Sequence, residues 1–207
     1  MGRVSEQISA SAPRQAGVQL HDRFWTWSTA LLRDAEARRV SLALQDRYSI
    51  NANVALWCVW TAHSGYVLEE EEARRILDHI EPMDAYVVRR LREVRRYLSA
   101  PHPGYPLVEL VRLRRETYEA ELAGERLVQL RLEAATRMLA GPPGLRGGAE
   151  AGHEARRLFS ISRAHLEMPV VLADDLGPES PVALFETLLD RARSTRSGPQ
   201  TLAQDAE

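Results

Sequence analysis

The sequence predicts an all-α protein: an irregular bundle of five or six helices, with a disordered N-terminus and a weakly ordered C-terminal tail. Three observations carry that expectation. Apolar residues recur at helical spacing from His21 to about Ala140. No alternating strand pattern of useful length appears, "MPVVLAD" at 168–174 being the sole short candidate. Proline and glycine gather in a few places, notably "SAPHPGYP" and "GPPGLRGG", which punctuate the helical stretches. With 207 residues, 44% hydrophobic and 27% charged, the composition is that of one globular domain with room for a sizeable core.

Taken in order, residues 1–18 mix Ser, Gln, Ala and Pro without periodicity and read as disordered. A helical domain follows over 19–140. Asp22 is placed to cap a first helix carrying Phe24, Trp25, Trp27, Leu31 and Leu32. A second, about 35–47, sets Val40, Leu44 and Tyr48 at i, i+4 and i+8. Asn51 is a natural N-cap for the helix that holds Trp57 and Trp60. "EEEEARRILDHI" puts its acids at the favourable end of a helix dipole, with Glu70 and Glu71 four residues before Arg74 and Arg75. Pro82 is expected to open the next helix, with Val87, Leu91, Val94 and Leu98 as its buried stripe.

The last long helix is expected from about Leu107 to Ala140, a length of about 50 Å at 1.5 Å per residue. Leu110, Leu113, Thr117, Ala120, Gly124, Leu127, Ala134 and Met138 mark its inner face, and Ala120 and Gly124 would admit a close neighbour or a kink. Residues 141–155 read as a Gly/Pro-rich linker, and 156–207 as a tail with one amphipathic helix near 181–193, capped by Ser180 and opened by Pro181.

Several chemistries are excluded by residue type. All 27 basic residues are arginine, so neither a Schiff-base lysine nor a Walker-type phosphate loop is available. One cysteine permits no internal disulfide, and the polar start "MGRVSEQISASAPRQAG" has no apolar signal core. Glu6 stands where a myristoylation signal wants Ser or Thr. The longest apolar run, 54–62, is far short of the roughly 20 residues that span a bilayer. A prokaryotic cytoplasm, with no membrane association, is the expected location. The only Glu-x-x-His, Glu150 with His153, falls in the expected linker, so neither a metal site nor a cofactor is anticipated.

Two constellations stand out. The first is polar and aromatic: Trp25, Trp27, Gln45, Asp46, Asn53 and Trp57 would frame a small pocket if the first three helices pair, although capping, turn chemistry and core packing explain the same residues. Cys58 within this group reads as a buried small hydrophobe. The second is electrostatic. Residues 66–84 hold seven acids and two arginines, a net −5, whereas 89–115 hold eight arginines and two glutamates, a net +6. Arg89, Arg92 and Arg96 share a helix face that Arg112 and Arg115 would extend, a set able to hold phosphates unless acidic neighbours neutralise it.

The ordered segments "FWTWSTALLRD", "ALQDRYSINANVALWCVW", "LREVRRYL" and "ELAGERLVQLRLEAA" resemble an uncharacterised proteobacterial family of small helical proteins. The shared pattern runs F-W-x-W-S, L-Q-D, N, a W-C-x-W-like helix, then L-R-x-x-R-R and E-L-x-x-E-R, over about residues 22–138. The resemblance implies an all-helical bacterial domain and carries no activity, ligand or catalytic residue. The leading functional expectation is a non-enzymatic interaction protein that docks a cytoplasmic protein partner, the tail helix serving as a second contact or as a cover. A phosphate- or RNA-binding protein using the arginine set, and a small-ligand pocket or enzyme around Gln45, Asp46 and Asn53, are the alternatives.

Overall fold

A computed structural model describes residues 22–144, 147–166 and 177–194 of the chain. Among these residues the fold is all-α, with no strand. Eight helices, more than the five or six expected, run in the order α1 (Arg23–Leu31), α2 (Ala35–Tyr48), α3 (Ala52–His63), α4 (Glu70–Met83), α5 (Arg89–Tyr97), α6 (Leu107–Leu139), α7 (Gly148–His165) and α8 (Pro181–Ser194). A π-helical turn, Asp84–Val88, joins α4 to α5 without a break. The strand candidate at 168–174 lies outside the described residues, as does the segment 1–18.

Local chemistry explains most boundaries. Asp34 caps α2, accepting from the N–H groups of Glu36 and Ala37 at 3.1 and 2.8 Å. Asn51 caps α3 through the Asn53 N–H at 2.9 Å. Asp22 precedes α1 but makes no cap bond with its side chain, which lies 3.7 Å from Arg126 instead. After α3 the chain turns at Gly65, whose φ of +76° favours glycine, and its carbonyl accepts from the Gly144 N–H at 3.1 Å.

α3 sits at the centre. Every residue from Asn53 to Ala62 is buried, the signature of a helix with no solvent face. α1, α2, α6 and α7 surround it. The small residues Ala151 and Ala155 let α7 lie close, and the Cys58 Sγ meets the Ser162 hydroxyl at 3.7 Å. The tryptophan patches join through Phe24, whose ring centroid is 5.2 Å from that of Trp60 and 6.3 Å from that of Trp27. Trp57 and Trp60 are buried, whereas Trp25 and Trp27 keep part of their surface in solvent.

Four sequence expectations change. Pro82 does not open a helix; it lies inside α4, just before the π turn. The expected apolar stripe of α5 is largely turned outward, with Val87 and Val94 exposed, and Arg92 is the residue that α5 buries. On α6, Leu127 and Met138 are exposed, Ala120 likewise, and the buried set is Thr117, Glu121, Gly124, Val128, Gln129, Leu132, Glu133, Ala135 and Thr136. Polar residues occupy inner positions there, so a search for apolar residues picks the wrong rotation. Gly124 gives close approach to the Val88 side chain, within an unbroken helix.

The fourth change concerns the end of the chain. α7 begins at Gly148, inside the segment expected to be a linker, and α7 and α8 belong to the core. Phe159 of α7 stacks on Phe185 of α8 at 3.9 Å with an interplanar angle of 4°. α8 lies along α2, where Arg191 Nε donates to Asp34 Oδ1 at 3.0 Å and the Tyr48 hydroxyl donates to the Glu179 carbonyl at 2.7 Å. α8 buries Leu184, Phe185, Leu188 and Leu189 in this packing.

Two outcomes follow from this packing. Phe185→Ala should cost about 3–5 kcal/mol in urea unfolding, as for other large core truncations. Arg191 and the cap N–H groups hold the Asp34 carboxyl at about 2, below its ordinary 3.8. A carboxylate lowered on folding stabilises above its unfolded pKa, and that stability is lost as pH falls towards the folded value. Arg191→Ala should therefore lower the melting temperature at pH 7, with the difference from the parent shrinking towards pH 2.

Candidate functional site

A cleft of about 510 Å³ opens where the end of α2, the start of α3, the α4–α5 junction and the end of α7 meet. The backbone shapes it at two points. Pro82 lacks an N–H and its ring opposes the carbonyl of residue 78, and the helix then takes a π turn, with the Arg89 N–H bonded to the Asp84 carbonyl. Opposite, Ser49 ends α2 in the left-handed region at φ +55°, which turns Ile50 and Asn51 onto the cleft.

The lining is charged with both signs. Arg89, Arg92, Glu93 and Arg96 come from α5, Asp78, Glu81 and Asp84 from α4 and the π turn, and Gln45, Ser49 and Asn51 from the α2–α3 corner. His165 closes one end, its Nε2 2.7 Å from Asp78 Oδ1. Arg89 Nη2 donates to Glu81 Oε1 at 2.9 Å and its Nε lies 3.1 Å from Asp84 Oδ2. Arg96 reaches across to the exposed carboxylate of Asp46.

Arg92, only 7% exposed, is held from behind: its Nε donates to Glu121 Oε1 at 2.9 Å and its Nη2 to Glu125 Oε1 at 2.7 Å. Arg95 shares the other oxygen of Glu121. One buried carboxylate thus binds two guanidinium groups.

Burial raises the Asp84 carboxyl above its ordinary range, against the pull of Arg89 and Arg92 and a hydrogen bond from the Asn51 side chain. Burial likewise raises Glu125, opposed by Arg92. Both are carboxylates raised on folding, so each favours the folded state more at low pH than at neutral pH. This is the reverse of Asp34.

The two residue sets read from the sequence are partly merged here and partly split. Gln45, Arg89, Arg92 and Arg96 line one cleft, with Asp46 at its edge bound to Arg96. Asn53 and Trp57 belong to a separate buried array. The Asn53 side-chain oxygen accepts from Gln129 Nε2 at 2.8 Å, Ser28 donates to the same Gln129 at 2.7 Å, and Trp57 Nε1 donates to the Thr136 hydroxyl at 2.8 Å. Trp25 carries the Arg126 guanidinium 5.8 Å from its ring centroid, and Trp27 packs beside Phe24.

Arg112 and Arg115 do not extend the cleft. They stand on the exposed half of α6 beside Glu109, Glu116 and Glu119. Burial pushes the Cys58 thiol up to about 12, so it is no nucleophile at neutral pH. Glu150 and His153 lie on α7 rather than in a linker, and the Glu150 carboxylate accepts from the Gly147 N–H at 3.4 Å.

Sequence reasoning missed Asp84, Glu121, Glu125 and Glu133. A signal was present: Glu121, Glu125, Gln129 and Glu133 recur every four residues, one polar stripe on one helix face. Their mates on α5, Arg92 and Arg95, are separated from them by only the α5–α6 turn.

The all-α fold, with a mixed-charge cleft at its α4–α5 junction, defines a structural class, a small helical domain. Within that class the chain belongs to the family described as "Protein of unknown function (DUF2390)", whose model matches residues 23–132. No curated protein matches the chain, and no solved structure does. Among the described residues no helix is long and apolar enough to cross a membrane.

The buried triad yields a direct expectation. Glu121→Ala leaves Arg92 and Arg95 without their shared carboxylate and should cost about 3–5 kcal/mol in chemical unfolding. At the cleft, Asp84→Asn removes a carboxyl raised on folding. Its melting temperature, relative to the parent, should shift upward as pH rises from the acid range to neutrality.

Proposed function

We propose that the protein is a non-enzymatic docking module that captures a cytoplasmic protein partner through an arm formed by α5 and the first half of α6. The observation that carries this reading is the exposure of that arm. From Pro103 to Glu116 all but one residue is exposed, and the surface includes Tyr105, Leu107 and Val108 at 71%, 74% and 78% together with Val111. An apolar groove of about 480 Å³ lies at the tip, lined by Leu98, Pro101, Tyr105, Leu107, Leu110 and Val111, with Arg114 at its edge. Clustered exposed apolar side chains of this kind mark interaction sites.

The partner segment that fits is apolar at its anchor and acidic at its flanks. Tyr105, Leu107 and Val111 offer the anchor surface, and the exposed Arg114 at the groove edge offers a guanidinium to an acidic flank. A nucleic-acid role has less support, because Arg89, Arg92, Arg95 and Arg96 each meet a carboxylate of the chain itself. The +6 of the sequence is therefore largely answered within the fold.

The test is capture of partners from the native host with nuclease present, comparing the parent with the double variant Val108→Glu and Val111→Glu. Both positions are exposed, so circular dichroism and melting temperature should stay at the parent's values. The expected result is loss of a defined, nuclease-resistant protein partner. An identical set of captured proteins from parent and variant would sink the arm as the docking surface.

A further inference from the structure

We propose that the charged cleft at the π turn is a binding site for a small zwitterion of the α-amino acid class, its carboxylate held by Arg92 and Arg96 and its ammonium facing Glu81 and Asp84. This reading is independent of the arm and does not need a protein partner.

The first support is the state of Arg92. A guanidinium has five N–H donors. Arg92 is buried, lines the cleft, and spends Nε and Nη2 on Glu121 and Glu125 behind it. Among the described residues no acceptor takes its Nη1. The two carboxylates fix the fork without using all of it, a preorganised donor in a cavity roomy enough for an amino acid. Arg96, one turn further along α5, is half exposed and bound to a half-exposed Asp46. An ion pair that open to water contributes little, so a ligand carboxylate can take the guanidinium over at small cost.

The second support is the sign of the remaining lining. Asp78, Glu81 and Asp84, from α4 and the π turn, and Glu93, from α5, line the same cavity as Arg89, Arg92 and Arg96, with Glu81 and Asp84 both bound to Arg89. A simple anion placed against the arginines meets these carboxylates, and a polyanion meets them along its length. A simple cation meets the guanidinium groups. A molecule carrying one charge of each sign, a few ångströms apart, satisfies both walls at once. Gln45 and Asn51 add side-chain amides at the α2–α3 corner, able to donate to or accept from a side chain of the ligand.

The experiment uses the full chain and reads melting temperature, then isothermal titration, against each of the protein amino acids added singly. Acetate, methylamine, inorganic phosphate and a single-stranded RNA serve as comparisons. A saturable rise with one or a few amino acids, absent with acetate or methylamine, is the expected result. Arg96→Gln, at an exposed position, should keep the fold and weaken that binding about tenfold, the loss of one charge-assisted hydrogen bond. Glu81→Gln on the opposite wall should weaken it as well. The proposal is overturned if no amino acid raises the melting temperature. It is equally overturned if phosphate or RNA gives the same rise, or if both variants bind as the parent does.

Discussion

The structure depends on a polar stripe buried along α6. Glu121, Glu125, Gln129 and Glu133 follow one another every four residues, and each is answered by a partner within the fold. Glu121 and Glu125 take the arginines of α5. Gln129 joins Ser28 of α1 to Asn53 of α3, and Glu133 accepts from the Phe24 backbone N–H at 2.8 Å while holding Arg137. Thr136 finishes the row by accepting from Trp57. Polar groups placed inside a protein cost free energy unless every one finds a partner. Here the requirement to satisfy them fixes where α1, α3 and α5 sit against α6, with a directionality that apolar contact alone lacks.

The same stripe explains what was legible in the sequence. Helix positions were readable because caps and breaks are local: Asn51 before α3, Pro181 opening α8, and the prolines and glycine between α5 and α6 all act within a few residues. The faces of α5 and α6 were not. An apolar periodicity assigns the core side to Val94 and Leu127, but α5 buries Arg92 against Glu121 of α6 and leaves both apolar residues exposed. Each half of such a pair looks like surface when read alone. The polar pocket of the sequence was half visible for the same reason. Gln45 lines the cleft with the arginines and Asp46 pairs with Arg96, whereas Asn53 bonds to Gln129, a partner 76 residues distant.

The cleft is a consequence of how α4 passes into α5. A proline inside a helix and a π turn directly after it change the rotation of the following residues. Acids of α4 and arginines of α5 then face one cavity instead of forming separate charged surfaces. Arg89 meets Glu81 and Asp84 there, Arg92 and Arg95 meet the acids of α6, and Arg96 meets Asp46, so this part of the +6 does not persist as a field of one sign. Formal charge counted along a sequence describes long-range steering only when the fold leaves those charges apart.

The region matched by the family model, residues 23–132, holds the stripe's first three members and the whole of the cleft except its His165 end. It does not contain a complete core. α3 is buried on every side, and α7 covers much of it, with Ser162 against Cys58 and Ala155 buried. α7 is in turn held by the stacking of Phe159 on Phe185, and α8 by its bond to the cap of α2. Of the helices after residue 147, α7 closes one end of the cleft with His165, and α7 packs on α3 and α8 on α2, the helices that shape its corner. Any variation in how α7 and α8 pack would be felt at the α2–α3 corner, where Gln45 and Asn51 stand.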